Sequence, residues 1–507
     1  HIVLVNKIYF IHIIRILLII LCIFISEKLF NIGFTYHQDG CLDEAENAYQ
    51  EVLTIDGKNA EVFNLLGVLK LQQNDVISAI NWIEKAVEIK PDVYFYETLF
   101  QAYVRAGLFK QIVAREKEVL EKFPDNFSLL FNIALANKKT KNIKAAIKFY
   151  DKALKINPGS YLAWFNLSHL YSIEGETENA VSALKICKKI RPNDIDTDYF
   201  LSLALMRTKN YDKGLKLFET RLCRETATAL QNKTYPNKAT KETLWKGENI
   251  KNKTIYVYYE AGFGDVIMFS RYLPLLANRC WKLLFLPQKQ LVPLFRDNPL
   301  GIDVVIDKYI PECDMNFDVH APLLSLPYLL GLKGDKVFAY PEGYIRPNKE
   351  LAEEFKKKYF NNDKIKVGIK WQGNTYYDQD RVIPTKFFKP LMAVENTQYY
   401  SFQTFEGSED AKELDGIIDV GKDLIDFGQT AAALSNLDIV ICNDTSLAHL
   451  AGAMGIPCWV ILPYEVNWRW HTDLSVCDWY NSVKLFRQHS IGDWQSVFDD
   501  ILEEMKP

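Results

Sequence analysis

The chain has 507 residues, 48% of them hydrophobic, with 60 Lys and Arg against 64 Asp and Glu and a formal charge of −4. That length is too great for one core and predicts two to four domains. The near-neutral balance, with no basic face, argues against nucleic acid as the main partner. Its nine cysteines are scattered, with no Cys-x-x-Cys and no His cluster at metal spacing, the pattern of reduced structural thiols in a cytoplasmic protein.

Residues 1–25 are an apolar N-terminal segment. Ile8 to Ile25 is apolar apart from His12 and Arg15, a length that suits a short membrane span or the core of a signal sequence. Arg15, near the middle, opposes a full span by roughly 2.5–3.5 kcal/mol on insertion scales. Phe24-Ile25-Ser26-Glu27 lacks the small-x-small pattern of a cleavage site. Three readings stay open: an uncleaved anchor attached to the inner membrane, a packed terminal helix, or an artefact of a wrongly extended reading frame.

Residues 26–225 repeat with a period of 34. Pro91, Pro124, Pro158 and Pro192 stand 33, 34 and 34 residues apart. Similar residues fall at similar places within each unit: Leu66, Gly67, Ala79 and Ala86 in one, Ile133, Ala134, Ala146 and Ala153 in another. This is the tetratricopeptide pattern. Small residues let two antiparallel helices approach, large ones fill the gap, and proline ends the pair. The unit around Tyr103, Gly107 and Pro124 is degenerate, and a sixth, Leu201 to Leu222, has Gly214 where others have alanine. Such an array offers an extended surface to a protein or peptide partner.

Residues 226–253 are rich in Thr, Asn and Lys and read as a linker, with Trp245-Lys246-Gly247 as a local anchor. Short strand-like runs then alternate with helical stretches. In residues 254–348 they are Thr254–Tyr259, Trp281–Leu286, Val304–Asp307 and Phe317–His320. In residues 349–490, after the charged stretch Lys349–Phe360, they are Lys366–Trp371, Gln398–Gln403, Ile417–Asp419, Ile439–Cys442 and Cys458–Leu462. The alternation predicts parallel sheets covered by helices, in two Rossmann-like halves. Residues 491–507 close the chain with an amphipathic helix, Gly492 to Met505.

Each half carries a turn between a strand and a helix. The first holds Gly262-Phe263-Gly264-Asp265, where the glycines allow a tight turn and close approach of a ligand. Asp265 reads either as a helix cap or as a general base for an acceptor hydroxyl. The second holds Asp444-Thr445-Ser446-x-x-His449, whose hydroxyls and free N–H groups suit a diphosphate. His449, one turn in, is placed to donate to the same oxygens or to serve the core. Arg381, in Asp380-Arg381-x-x-Pro384, is a partner for phosphate charge. Asp378-x-Asp380 invites a metal reading, but Arg381 beside it competes, and the same spacing recurs at Asp194 and Asp196. Trp468-Arg469-Trp470 and Leu485-Phe486-Arg487-Gln488 read as core aromatics or as cleft rim. The lack of Gly-x-Gly-x-x-Gly argues against a NAD site.

The stretch from about Trp245 to Leu502 resembles bacterial glycosyltransferase family 9, the ADP-heptose:lipopolysaccharide heptosyltransferase family, and within it the subgroup with N-terminal tetratricopeptide repeats. Glu260 to Tyr272 is similar to the subgroup's glycine-aspartate loop, and Asn443 to Ala453 to the family's Asp-Thr-Gly-x-x-His donor motif, with Ser446 in place of the usual small residue. Asp380-Arg381-x-Ile383-Pro384 is similar to the segment that supplies a basic residue to the donor phosphates, here Arg381 where lysine is common. The resemblance implies an α superhelix of tetratricopeptide repeats followed by an α/β glycosyltransferase B fold of two Rossmann-like domains. It implies inverting transfer of a sugar without metal or other cofactor, from a nucleotide sugar to a hydroxyl of a glycan, lipid-linked or protein acceptor. In this reading Asp265 is catalytic, Gly262 and Gly264 form the cleft loop, and Arg381, Asp444, Thr445, Ser446 and His449 bind the donor. A protein O-linked N-acetylglucosamine-type transferase and an inactive tetratricopeptide scaffold are the competing readings.

Overall fold

The computed structural model describes residues 2–224, 240–307, 316–373, 379–471 and 475–506. Of the sequence expectations, residues 226–239 of the linker and Asp378 lie outside the described residues. The structure divides into two compact units, His1–Leu170 and Tyr171–Pro507.

The first unit is helical throughout. The apolar segment and the start of the repeats are one helix, Ile2–Gln38, with no break at residue 25. No proline interrupts it, and Gly33 lies inside it against Tyr49. Within Tyr9–Gln38 a stretch of 18 residues reaches a mean hydropathy of 2.5, and the helix is long and apolar enough to cross a membrane. Helix pairs follow: Ala60–Gln72 with Val76–Ile89, Val93–Ala106 with Phe109–Lys122, and Phe127–Lys139 with Ile143–Ile156. The small residues act as expected. A Cβ on Gly67 would stand 2.2 Å from Ile83 Cγ1, so only glycine admits this close crossing. Asn59, Asp92 and Asn126 cap three of the helices, each a contribution of about 1 kcal/mol. The degenerate unit around Tyr103 still forms its pair. The Tyr103 hydroxyl donates to Glu84 of the preceding helix pair at 2.5 Å.

The second unit begins with repeat helices, Thr177–Ile190, Ile195–Arg207 and Tyr211–Phe218. The sequence ends the repeats at residue 225. These last helices are part of the compact α/β unit because Tyr211 stands edge-on against Phe338 and Trp479 in its core. Gly214 fits against Met206, where a Cβ would stand 2.6 Å from Cγ.

Among the described residues ten strands make two sheets. β1 (Ile250–Tyr258), β2 (Cys280–Leu286), β3 (Val304–Val305) and β4 (Val319–Pro322) lie in the order β3-β2-β1-β4. β5 (Ile365–Lys370), β6 (Thr397–Ser401), β7 (Ile418–Asp419), β8 (Ile439–Asn443), β9 (Cys458–Leu462) and β10 (Val483–Arg487) lie in the order β10-β9-β8-β5-β6-β7. All their pairings are parallel. β10 is a strand that the sequence reading did not place. Its Val-Lys-Leu-Phe-Arg pattern is brief, and pairing with β9 decides it. The helix Trp494–Glu504 covers one face of the second sheet, packing Val497, Phe498 and Ile501 with Ile369 and Ile441. One apolar core, which includes Val257 and Val440, joins the two sheets.

Candidate functional site

The carboxyl ends of both sheets meet at one cleft of about 740 Å³. In the second sheet the chain order reverses between β5 and β8, and the residues following these strands form part of the wall. A switch of this kind leaves a crevice because the connections diverge to opposite faces of the sheet. Gly262, Gly264, Asp265, Arg381, Asp444, Thr445, Ser446 and His449 all line this cleft, although more than 180 residues separate the first from the last.

β1 leads through Tyr259–Ala261 into the short helix Phe263–Phe269. Asp265 is its third residue. The Gly262 N–H donates to Asp265 Oδ2 at 3.1 Å, so the carboxylate closes the turn that carries it. Oδ1 forms an ion pair with Arg469 from the other side of the cleft. One carboxylate oxygen thus closes the turn, and the other meets Arg469 at the cleft.

Opposite, β8 ends at Asn443 and the helix Ser446–Met454 begins after Thr445, its extended N-cap. Among the described residues no side chain caps this helix, and its start lies at the cleft wall. Arg381 pairs with Asp444 Oδ2 at 3.0 Å, and Asn443 Nδ2 donates to the Arg381 carbonyl at 2.9 Å. These two bonds tie the segment after β5 to the end of β8. Asn443 is fully buried, and its Oδ1 has no hydrogen-bond partner among the described residues.

His449 is 5% exposed. Its ring stacks on Trp470 at 5.2 Å and its Nδ1 lies 3.1 Å from the Tyr480 hydroxyl. Burial, followed by the charges of Arg469, Arg271 and Arg381, holds its pKa well below the ordinary value. The imidazole is therefore neutral. A neutral imidazole donates through one ring nitrogen and accepts through the other.

The sequence reading took Trp468-Arg469-Trp470 as core aromatics or cleft rim, gave Lys370 no role beyond its strand-like run, and passed over Phe405. Lys370 ends β5 at the cleft with its Nζ 3.4 Å from the Phe402 carbonyl, and burial pushes its pKa down to about 8. The signal was present: a lysine between the apolar Val367-Gly368-Ile369 and Trp371. Gln403 accepts from the N–H groups of Trp371 and Gln372 at 3.3 and 3.1 Å, joining the loops after β5 and β6. Phe405 and Ile425, 85% and 71% exposed, stand at the same wall. Nothing in the periodicity of those loops marked them. The cleft thus combines three cations, Lys370, Arg381 and Arg469, with an uncapped helix start, a neutral histidine and one carboxylate at a glycine turn. Such a set can hold a diphosphate and take a proton from a group beside it.

Tetratricopeptide repeat models match residues 29–59, 60–93 and 127–160, and another matches 149–182. Protein FlbA of Caulobacter vibrioides is 23% identical over 398 residues, covering 71% of this chain and 64% of its own length. Human protein O-mannosyl-transferase TMTC3 is 24% identical over 200 residues, 35% of this chain and 21% of the relative. The chain thus spans 64% and 21% of the lengths of these two curated relatives. A solved structure of a glycosyl transferase family 9 protein from Veillonella parvula is 14% identical, with a TM-score of 0.35, and the match covers 50% of this chain and 97% of that one. By the matched residues, the N-terminal part of this chain carries tetratricopeptide repeats, and a parallel-sheet α/β region follows them.

Proposed function

We propose that this protein is a glycosyltransferase that moves a sugar from a nucleoside-diphosphate donor to a hydroxyl acceptor with inversion at the anomeric carbon. Arg381, Thr445, Ser446, His449 and the N–H groups at the start of the Ser446–Met454 helix hold the diphosphate. Asp265 takes the acceptor proton. The acceptor oxygen bonds to the anomeric carbon as the bond from that carbon to the phosphate oxygen breaks, and the nucleoside diphosphate leaves with the electron pair. Charge grows on the leaving oxygens, so fixed cations and N–H groups act most strongly in the transition state.

The observation that carries this reading is the position of Asp265. It sits on a glycine turn of one sheet, paired to Arg469, in the same cleft as the uncapped helix start of the other sheet. The strand order of the second sheet is that of doubly wound nucleotide-binding folds. A Rossmann-like reading of both sheets, as in the glycosyltransferase B fold, is consistent with their all-parallel pairing. The repeats select or present the acceptor or recruit a protein partner, and the Tyr9–Gln38 helix would place the chain at a membrane.

The test is a screen of ADP-, GDP- and UDP-sugars on the full chain for thermal stabilisation and for release of nucleoside diphosphate. Stabilisation with release supports the proposal. Transfer to protein hydroxyls would shift it to an O-linked N-acetylglucosamine-type transferase. Neither binding nor release with any donor would leave the repeats as an inactive scaffold.

A further inference from the structure

Two arginines near the end of the repeat helices, Arg221 buried and Arg207 half-buried, reach the segments that build the cleft. Arg207 ends the helix Ile195–Arg207. Its guanidinium donates to the Ser172 carbonyl at 2.8 Å and to the Val466 carbonyl. Its own carbonyl accepts from His471 Nδ1–H at 3.0 Å, and Tyr211 lies 3.1 Å from the other ring nitrogen. The segment from Val466 to His471 is thus held at both ends by one turn of the last repeat. Between those ends stand Arg469, paired with Asp265, and Trp470, stacked on His449.

Arg221, just after the Tyr211–Phe218 helix, holds the other side. Its Nε and one terminal nitrogen bind the Glu260 carboxylate at 3.1 and 2.6 Å. The remaining donors go to Ser325 at 2.8 Å, Glu219 at 2.8 Å and the Phe218 carbonyl at 3.1 Å. Every N–H of the fork is used, and the arginine is buried. Burial disfavours the charge, but Glu260 and Glu219 outweigh it and raise the arginine's pKa. Glu260 also accepts from the Leu324 N–H at 3.1 Å and is followed by Ala261 and Gly262, so the clamp fixes the start of the turn that carries Asp265.

We propose that the last repeat belongs to the catalytic centre: Arg207 and Arg221 are positioning residues that hold the Val466–His471 segment and the Glu260–Asp265 turn, so that Arg469 and Asp265 meet. This rests on the glycosyltransferase reading only for what the centre does. The physical claim is that one helical pair sets the relative position of two segments about 200 residues apart in sequence. It also explains why the sequence boundary at residue 225 is not the boundary of the compact unit.

The test uses the full chain with Arg207→Ala and Arg221→Lys. Alanine at 221 would strand two buried carboxylates, whereas lysine keeps the charge and loses the fork. Amide hydrogen exchange is expected to rise by about tenfold within 466–471 for Arg207→Ala and within 260–265 for Arg221→Lys, with β8 and β9 unchanged. Unchanged exchange in those segments, or a rise spread over the whole unit, overturns the proposal. Calorimetry with ADP, GDP and UDP supplies a functional reading. Arg207→Ala should weaken binding by about fivefold or more in the wild-type background and have no further effect beside Arg469→Ala. Additive losses overturn the proposal. If the wild-type chain binds none of the three nucleotides, the glycosyltransferase reading fails, and hydrogen exchange alone decides the positioning role.

Discussion

Gly264 lies directly against His449: a Cβ on the glycine would stand 2.7 Å from Cδ2 of the imidazole. The contact brings the glycine turn of the first sheet onto the helix that starts after β8 of the second. Neither side can give easily. The imidazole stacks on Trp470 and bonds to Tyr480, and the turn is held by Asp265. The two glycines of the turn therefore have different reasons to be glycine. Gly262 has φ −67°, and a Cβ there meets only Asp265 Oδ2, at 3.4 Å.

From this contrast, Gly264→Ala should cost about 1–3 kcal/mol as an overpacked contact, whereas Gly262→Ala should cost little. Thermal denaturation of both variants makes the comparison. Equal melting temperatures would show that the His449 ring moves freely and that the contact does not define the cleft.

Asp265→Asn keeps an acceptor for the Gly262 N–H and loses the ion pair with Arg469, so the fold should survive with a small loss of stability. Turnover should fall by about 10²–10⁴, the range for losing a general base. Turnover and melting temperature measured on the same protein decide the matter. A near-normal rate would leave Asp265 as a turn-closing residue paired to Arg469.

Arg381→Ala and His449→Ala should each weaken nucleoside-diphosphate binding by roughly 1–3 kcal/mol, the scale of a hydrogen bond to a charged group. The two should differ in stability. Removing Arg381 leaves Asp444, 7% exposed, without its cation, while removing His449 opens space beside Trp470 and Tyr480. Calorimetric affinities unchanged in both variants would move the diphosphate away from this helix start.

Lys370 makes the site sensitive to alkaline pH. Its folded pKa of about 8 lies below the ordinary 10.5 because burial disfavours the charge. Between those values the unfolded chain binds more protons than the folded one, so stability contributed by this group rises with pH across that window. The whole gap corresponds to roughly 3 kcal/mol. Below pH 8 the lysine is charged in both states, and the cost of burying it is constant. Lys370→Met should raise stability at pH 7 and remove the rise, read by denaturant titration from pH 7 to 10. A diphosphate bound nearby would favour the charged form, so binding at pH 8.5 should take up protons. Calorimetry in two buffers of different ionisation heat measures that uptake, and its absence would place the anion away from Lys370.

The sequence by itself determined the elements and the chemical inventory. The 34-residue period is set by how two helices pack on each other, which is a local matter, so Gly67, Ala79 and the prolines announce it. Runs such as Ile439–Cys442 are apolar because both faces of a parallel strand are covered, and that too is written in consecutive residues. Residues of the glycine turn and of the Asp-Thr-Ser-x-x-His segment stood out because tight turns and open helix starts restrict residue type. Tertiary structure decided what those residues touch. That Asp265 faces Arg469, that His449 is neutral against Trp470, that Lys370 has a lowered pKa, and that β10 is a strand all depend on partners far off in the chain. So does the reach of Arg207 and Arg221 into the cleft segments. Periodicity records the face a residue turns to its own element's neighbours. It carries no record of which distant carboxylate or carbonyl meets a buried arginine, because that choice is made only when the two sheets and the last repeat pack together.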